Sequence, residues 1–209
     1  MDSIADQTVP EAPTQSAGYA QFTCDLALFK AANIFASDDS TRYYLQGVAV
    51  WLANGKLTLV ATDGHRLVKI VRDLPDAIGC LAGAIIPATV IDALKADRKL
   101  PHVTVTVTGT EVTFDQYDRK QSGKLIDGTY PDYERIMPDP KKSKPCDLIG
   151  FNPAYMGDFA KLHTTLGRKG AGVSLRMGED YNAPMIVQMA DNAEAYTGVL
   201  MPLRLNRGE

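Results

Sequence analysis

The sequence lacks the features that would place it in a membrane or in an oxidising compartment. Its 209 residues include three cysteines, none of them in a CxxC pair. We therefore expect reduced thiols, with neither a metal site nor a disulfide framework. No apolar run approaches the roughly 18 residues that span a bilayer, and the first 18 residues have no basic-then-apolar signal pattern. These absences favour cytoplasmic localisation without membrane association.

The chain also lacks a strong charge bias. Its 22 basic and 25 acidic residues give a formal net charge of −3. This excludes a uniformly basic nucleic-acid binder, but not one whose positive charge is segregated on one surface. Residues 1–18 are rich in Pro, Gln, Ser, Thr and acids and have little to bury, so we expect them to form a disordered tail.

The rest of the chain repeats one order of signals, an amphipathic helix followed by extended stretches. Helices are predicted within residues 22–37, 85–100 and 150–167, spaced by a little over 60 residues. An Asn54-Gly55 pair between β-rich runs predicts a hairpin, and the alternation of His102–Thr108 predicts a half-buried strand. The period indicates about three helix-plus-strand units in an α+β fold with antiparallel sheets and helices on one face.

Basic side chains fall on or beside the predicted helices. Lys95, Arg98 and Lys99 are spaced i, i+3 and i+4, which places them on one face of the second helix. Such residues can be an ordinary solvated face, or they can meet a phosphate backbone without reading bases if several helices line one surface. The candidate DNA-facing residues are Lys30, Lys95, Arg98, Lys99, Lys161, Arg168 and Lys169.

Two motifs give only weak support for an enzyme. Asp63, His65 and Arg66 could serve a nuclease or another hydrolase, although an Asp-Gly turn flanked by surface residues is the simpler interpretation. The glycine-rich run at 166–172 lacks the G-x-x-x-x-G-K-[ST] spacing of a phosphate loop. We therefore predict no enzymatic activity, no cofactor and no metal.

The apolar stretch at 198–205 suggests two structural roles. One is a final edge strand tucked into the core. The other is one wall of a groove that accepts an extended apolar peptide, because methionine and leucine side chains adapt to varied ligands.

Four motifs in order resemble the bacterial DNA polymerase III beta subunit, the beta sliding clamp. They are TRYYLQG at 41–47, VATDGHRL at 60–67, LIDGTYPDY at 125–133 and VLMPLRL at 199–205. The resemblance implies a DNA-clamp fold. In it, residues 19–140 form a complete clamp domain of two repeats, like the family's middle domain. Residues 146–209 form half a clamp domain, like the second half of the family's C-terminal domain, and include the GFNxxY motif as GFNPAY at 150–155.

This resemblance implies a DNA replication processivity factor, a ring around duplex DNA that does not read sequence. DNA polymerase and clamp loader would dock short apolar peptides in a groove. The alternative is a clamp-like binding module that competes for such peptides without encircling DNA. The groove residues implied by the motifs are Leu45, Thr62, Gly64, His65, Arg66, Leu67, Pro138, Asn152, Tyr155, Val199, Leu200, Met201, Pro202, Leu203 and Arg204.

An odd number of units also implies an oligomer. The family's ring contains twelve units, so three units per chain predict a tetramer of about 91 kDa from chains of 22.7 kDa. The unpaired half-domain would expose an apolar sheet face and pair with its counterpart about a two-fold axis. A different count of units would give a dimer or a three-chain ring.

Overall fold

The computed structural model describes residues 18–97, 99–145 and 148–204. The predicted tail lies outside the described residues except for Gly18, as do Arg98, Cys146 and residues 205–209. The helices are α1 (Leu26–Asn33), α2 (Ala88–Ala93) and α3 (Pro153–Thr165). The strands are β1 (Tyr19–Asp25), β2 (Gly47–Ala53), β3 (Lys56–Thr62), β4 (Arg66–Asp73), β5 (Ile78–Gly79), β6 (Leu81–Pro87), β7 (His102–Thr108), β8 (Glu111–Gln116), β9 (Arg119–Lys124), β10 (Val173–Arg176), β11 (Met185–Met189) and β12 (Thr197–Leu200).

The strands form two antiparallel sheets. One has five strands in the order β5-β1-β7-β8-β9, and the other has seven in the order β10-β11-β12-β4-β3-β2-β6. The α+β class with antiparallel sheets is therefore confirmed. Helix α1 contacts both α2 and α3 as well as strands of the larger sheet. None of the helices in the described ranges is long and apolar enough to span a membrane.

The main core lies between the sheets and the helices. Alternate residues of β7, among them Val103 and Val105, are buried, as are Val48 and Val50 of β2. These side chains and Phe29 of α1 belong to the same cluster. Period-two alternation thus places one face of each sheet in the core, as the threonine-valine pattern of β7 predicts.

The predicted hairpin turn between β2 and β3 is confirmed. Asn54 and Gly55 have φ angles of 52° and 70°. Positive φ at both central residues is the type I′ geometry that matches the twist of antiparallel strands. Asn and Gly are the residues that adopt it with least strain.

Helix α2 is shorter than the sequence predicts. It begins after Pro87, as expected, but Leu94 already has extended backbone angles and its side chain is buried in the core. The Asp97 carboxylate then accepts a hydrogen bond from the N–H of Lys99 at 2.9 Å, a local turn that competes with a helix. The prediction that Lys95 and Lys99 share a helical face is therefore wrong.

One stretch predicted as an edge strand also differs in the structure, and another stretch forms a short helix before β2. Residues Ser40–Leu45 form a 3₁₀ helix capped by Asp39, and hydrogen bonds from the Thr41 side chain and backbone and from Arg42 lower the pKa of Asp39 to about 2. Strand β12 is internal, because it pairs with both β11 and β4. The edge-strand interpretation of this stretch is wrong for Thr197–Leu200.

Candidate functional site

Pairing of β4 with β12 brings two of the distant motifs together. Leu67 lies opposite Val199, and Arg66 lies opposite Leu200. The N–H of Met201 donates to the carbonyl of His65 at 2.9 Å, continuing the pairing beyond β12. The two stretches therefore form adjacent parts of one surface within a single chain.

The loop between β3 and β4 is held by its own polar groups. The Asp63 carboxylate accepts hydrogen bonds from the N–H groups of His65 and Arg66 at 2.8 and 3.1 Å. The Thr62 hydroxyl donates to the Arg66 carbonyl at 2.7 Å and accepts from the Gly64 N–H at 3.0 Å. Asp63 thus acts in the structure as a turn-forming residue, which supports the structural interpretation of this motif over a hydrolytic one.

Arg66 connects this loop to α3. Its Nε lies 3.2 Å from Asp63 and its Nη1 pairs with Asp158 of α3. The guanidinium carbon also lies 5.0 Å from the ring centroid of Phe35 and 5.4 Å from that of Tyr155. The side chains of Arg66 and Asp158 are each 11% exposed. A nearly buried ion pair, whose guanidinium also contacts two aromatic rings, therefore joins α3 to β4.

The start of α3 lies beside the loop between β3 and β4. Asn152 caps the helix, because its side chain accepts a hydrogen bond from the Ala154 N–H at 2.9 Å. One residue further along, Tyr155 stacks on His65 with ring centroids 5.6 Å apart and an interplanar angle of 27°. His65 is therefore part of an aromatic wall in this structure.

A small apolar cluster underlies this region. It contains Leu45, Val60, Leu67 and Val199, and the half-buried Met137 packs against it. The aromatic rings of Trp51, Tyr130 and Tyr133 extend the cluster, with centroids 5.2 Å apart for Trp51 and Tyr133 and 6.1 Å for Trp51 and Tyr130. These residues lie beneath the surface where β4, β12 and the start of α3 meet, which we call the β4–β12 groove after the groove that the sequence predicts.

The predicted groove residues divide by burial. Leu45, Thr62, Leu67 and Val199 are buried and belong to the floor or its edge. Leu200 is also buried, but in the main core with Phe159, because successive residues of a strand face opposite sides. Its predicted place in the groove is therefore wrong. The remaining residues are half-buried or exposed: Gly64, His65, Arg66, Pro138, Asn152, Tyr155, Met201, Pro202, Leu203 and Arg204.

The structure adds residues that the sequence did not single out. Phe35 and Asp158 fix Arg66, and Trp51 and Tyr133 complete the floor. The spacing of Tyr155 and Asp158, which puts both on one face of a helix, was the available signal for Asp158. Phe35 carried no local signal, because its partner Arg66 lies in another element.

The predicted DNA-facing residues do not all project from helices. Lys30 lies on α1 and donates to the Asp92 carbonyl at 3.2 Å, and burial lowers the pKa of its ammonium group. Lys161 lies on α3 and pairs with Asp158 at 2.7 Å. Lys95 and Lys99 follow α2, Arg168 and Lys169 follow α3, and all four are exposed with no ion pair to another described residue. Arg98 lies outside the described residues.

Comparison with known proteins identifies relatives of this chain. The family model "DNA polymerase III beta subunit, central domain" matches residues 27–132, half of the chain. A beta sliding clamp from Treponema pallidum is 34% identical over 128 residues, which cover 59% of this chain and 34% of that protein. A beta sliding clamp from Pseudomonas putida is 27% identical over 180 residues, covering 79% of this chain and 46% of that protein.

A solved structure has the same fold. The crystal structure of the DNA polymerase sliding clamp from Bacillus subtilis matches with a TM-score of 0.69 and 18% identity, covering 95% of this chain and 67% of that chain. In both curated relatives the matched region is less than half of the protein's length.

Proposed function

The chain belongs to the DNA polymerase III beta subunit family, and from this premise we propose that it is a DNA sliding clamp. In this proposal it encircles duplex DNA without reading its sequence. It tethers a polymerase, and is loaded by a clamp loader, through peptides docked in the β4–β12 groove. Residues 19–140 would serve as a complete clamp domain and residues 146–209 as half of one.

The observation that carries the proposal is that the β3–β4 loop, the end of β12 and the start of α3 meet on one surface of a single chain. His65 stacks on Tyr155 of α3, and the half-buried Met201 is joined to His65 through its backbone N–H. An apolar floor with a polar rim suits an extended peptide whose side chains alternate between pocket and solvent. The partner would thus bind through a few apolar anchors.

The positive charge supports a separate contact with DNA. Lys95, Lys99, Arg168 and Lys169 are exposed beside the ends of α2 and α3, and α1 contacts both of these helices. Lysine and arginine at such positions bind phosphates irrespective of sequence. We place this side of the chain against the DNA.

Ring closure requires several copies. Three units per chain and twelve per ring give a tetramer of about 91 kDa, from a chain mass of 22.7 kDa. Light scattering at micromolar concentration measures this mass. A stable monomer would instead favour a module that competes for clamp-binding peptides.

The encircling of DNA predicts topological retention. The protein, assembled on a closed circular plasmid and separated from free protein by gel filtration, is expected to stay with the plasmid and to leave it after a single cut. Lys95→Glu with Lys99→Glu should reduce retention, because acidic side chains neutralise no phosphates and so release no counterions. Lys141→Glu with Lys144→Glu makes the same charge change away from α2 and α3 and should have a smaller effect. Equal retention on cut plasmid would contradict encircling.

The groove predicts weak binding of an apolar peptide. A labelled synthetic peptide with alternating leucine and phenylalanine should bind with a dissociation constant on the order of micromolar. Changing Met201, Pro202 and Leu203 together to alanine should abolish binding, because these side chains form one wall. Tyr117→Ala, which removes an exposed ring outside the groove, should leave the affinity unchanged. Binding that survives the triple change would place the site elsewhere.

A further inference from the structure

The first two units of the fold exchange strands. Strand β1 precedes α1 but pairs with β7, and β6 precedes α2 but pairs with β2. On its other side, each of these strands contacts the segment that follows the last strand of its own unit. Ala20 lies opposite Gly79, and Ile85 lies opposite Ile126. Each unit therefore gives the strand before its helix to the sheet of the other unit.

The third unit has the same local arrangement. Gly150 lies three residues before α3, as Ile85 lies three residues before α2. Gly150 forms a bridge with Leu203, which follows β12 as Ile126 follows β9. The hydrogen bonds correspond as well, since Leu203 N–H donates to the Gly150 carbonyl at 2.8 Å and Ile126 N–H to the Ile85 carbonyl at 2.9 Å. Residues 148–151 thus occupy the position of the exchanged strand.

The sheet that would receive a strand in this unit has an open edge. Within the described part of the chain, β10 pairs with β11 alone. The Gly172 carbonyl accepts from Ala190 N–H at 2.9 Å. Since polar backbone groups of alternate residues point to opposite sides of a strand, those of Val173 and Leu175 point to the open edge. By the same alternation, those of Ile149 and Phe151 point away from Leu203.

The side chains at this edge are apolar and incompletely covered. Val173 lies opposite Met189 and Leu175 opposite Val187, so both share the face of β11 that packs in the core. They are nevertheless 38% and 36% exposed, whereas Val48 of β2 and Val103 of β7 are at most 1% exposed. Val48 and Val103 are covered by the strand that the other unit supplies. Among the described residues, Val173 and Leu175 have no such strand beside them, which accounts for their greater exposure.

We propose that a second copy of this chain covers the edge, with residues 149–151 of each copy pairing with β10 of the other about a two-fold axis. Ile149 would lie opposite the partner's Leu175, and Phe151 opposite the partner's Val173. This register joins backbone groups that point toward each other and places four apolar side chains on the core face. Each copy supplies the element that the other copy needs, which makes the contact isologous. As one contact of a ring, this pairing rests on the proposed function.

Disulfide trapping tests the register. In a chain carrying Cys80→Ser and Cys146→Ser, the pair Ile149→Cys and Leu175→Cys is expected to give a covalent dimer on oxidation, because directly opposed residues lie within disulfide distance. Ile149→Cys with Ser174→Cys should give little dimer, because Ser174 faces the other side of the sheet. An intrachain bond, or equal dimer from both pairs, would overturn the proposal.

Mass in solution tests the contact without cross-linking. Leu175→Glu should halve the mass measured by light scattering, and so should Leu175→Pro, which removes one N–H at the open edge and spares the bonds to β11. Ile78→Glu, at an exposed apolar side chain of another edge strand, should leave the mass unchanged. An unchanged mass in both Leu175 variants, with circular dichroism showing folded protein, would overturn the proposal. If the trapped dimer forms but no protein is retained on circular DNA, the pairing stands and the clamp function fails.

Discussion

Arg66→Ala is expected to lower the free energy of unfolding by about 3 kcal/mol, because it leaves a buried carboxylate without its cation. Asp158 is 11% exposed and pairs with Arg66 and with Lys161. The exposed Lys161 compensates only in part. The substitution also removes the contacts of the guanidinium with the rings of Phe35 and Tyr155. Urea unfolding followed by the fluorescence of Trp51 measures the change.

Two controls separate this ion pair from ordinary surface charge. Arg135→Ala breaks an exposed pair with Asp132, whose atoms are 3.0 Å apart, and should cost less than about 1 kcal/mol. Combining Arg66→Met with Asp158→Leu should recover much of the lost stability, because an apolar pair needs no compensating charge. A loss for Arg66→Ala no larger than that for Arg135→Ala would show that the pair does not fix α3.

Phe159→Ala is expected to cost about 3–5 kcal/mol, the range for truncating a buried aromatic side chain. The ring is fully buried and lies 5.0 Å from the centroid of Phe35 and 6.1 Å from that of Tyr196. It also packs directly on the backbone of β12, since any side chain at Gly198 would overlap the ring of Phe159. Removal of the Phe159 ring therefore leaves a cavity where α3, β12 and the end of α1 meet.

Hydrogen exchange can locate this loss. Amides of α3 and β12 should exchange faster in Phe159→Ala, whereas those of β7 and β8 should change less, because local opening follows local packing. Phe114→Ala removes a buried ring that packs edge-on against Phe29 and should reverse this pattern. Uniformly faster exchange in both variants would show that the three units open as one.

Several features follow from neighbouring residues and could be predicted from the sequence. The Asn54-Gly55 turn and the alternation in β7 depend on local backbone preference and on period-two burial. The helix periodicity indicated the number of units. The motifs indicated the loop between β3 and β4, because Thr62 and Asp63 shape it through hydrogen bonds within a few residues.

Other features depend on residues far apart in the chain. The early end of α2 reflects burial of Leu94, and the burial of Leu200 in the main core reflects the side of β12 that faces α3. The sequence shows that Arg66 carries a charge, but it does not show that Asp158 is its partner, because ion pairs between elements form only after the elements pack. The exchange of β1 and β6 between units could not be predicted for the same reason.

The sequence by itself thus determined the turns, the repeated helix-plus-strand units and the family, since these depend on local order and on residue identity. Tertiary structure alone decided which strands pair, which side of each strand is buried and where an edge stays open. Strand partners are chosen by long-range burial and by the alternating direction of backbone hydrogen bonds. The open edge of β10, and the backbone groups of Ile149 and Phe151 that point away from Leu203, became visible only at that level.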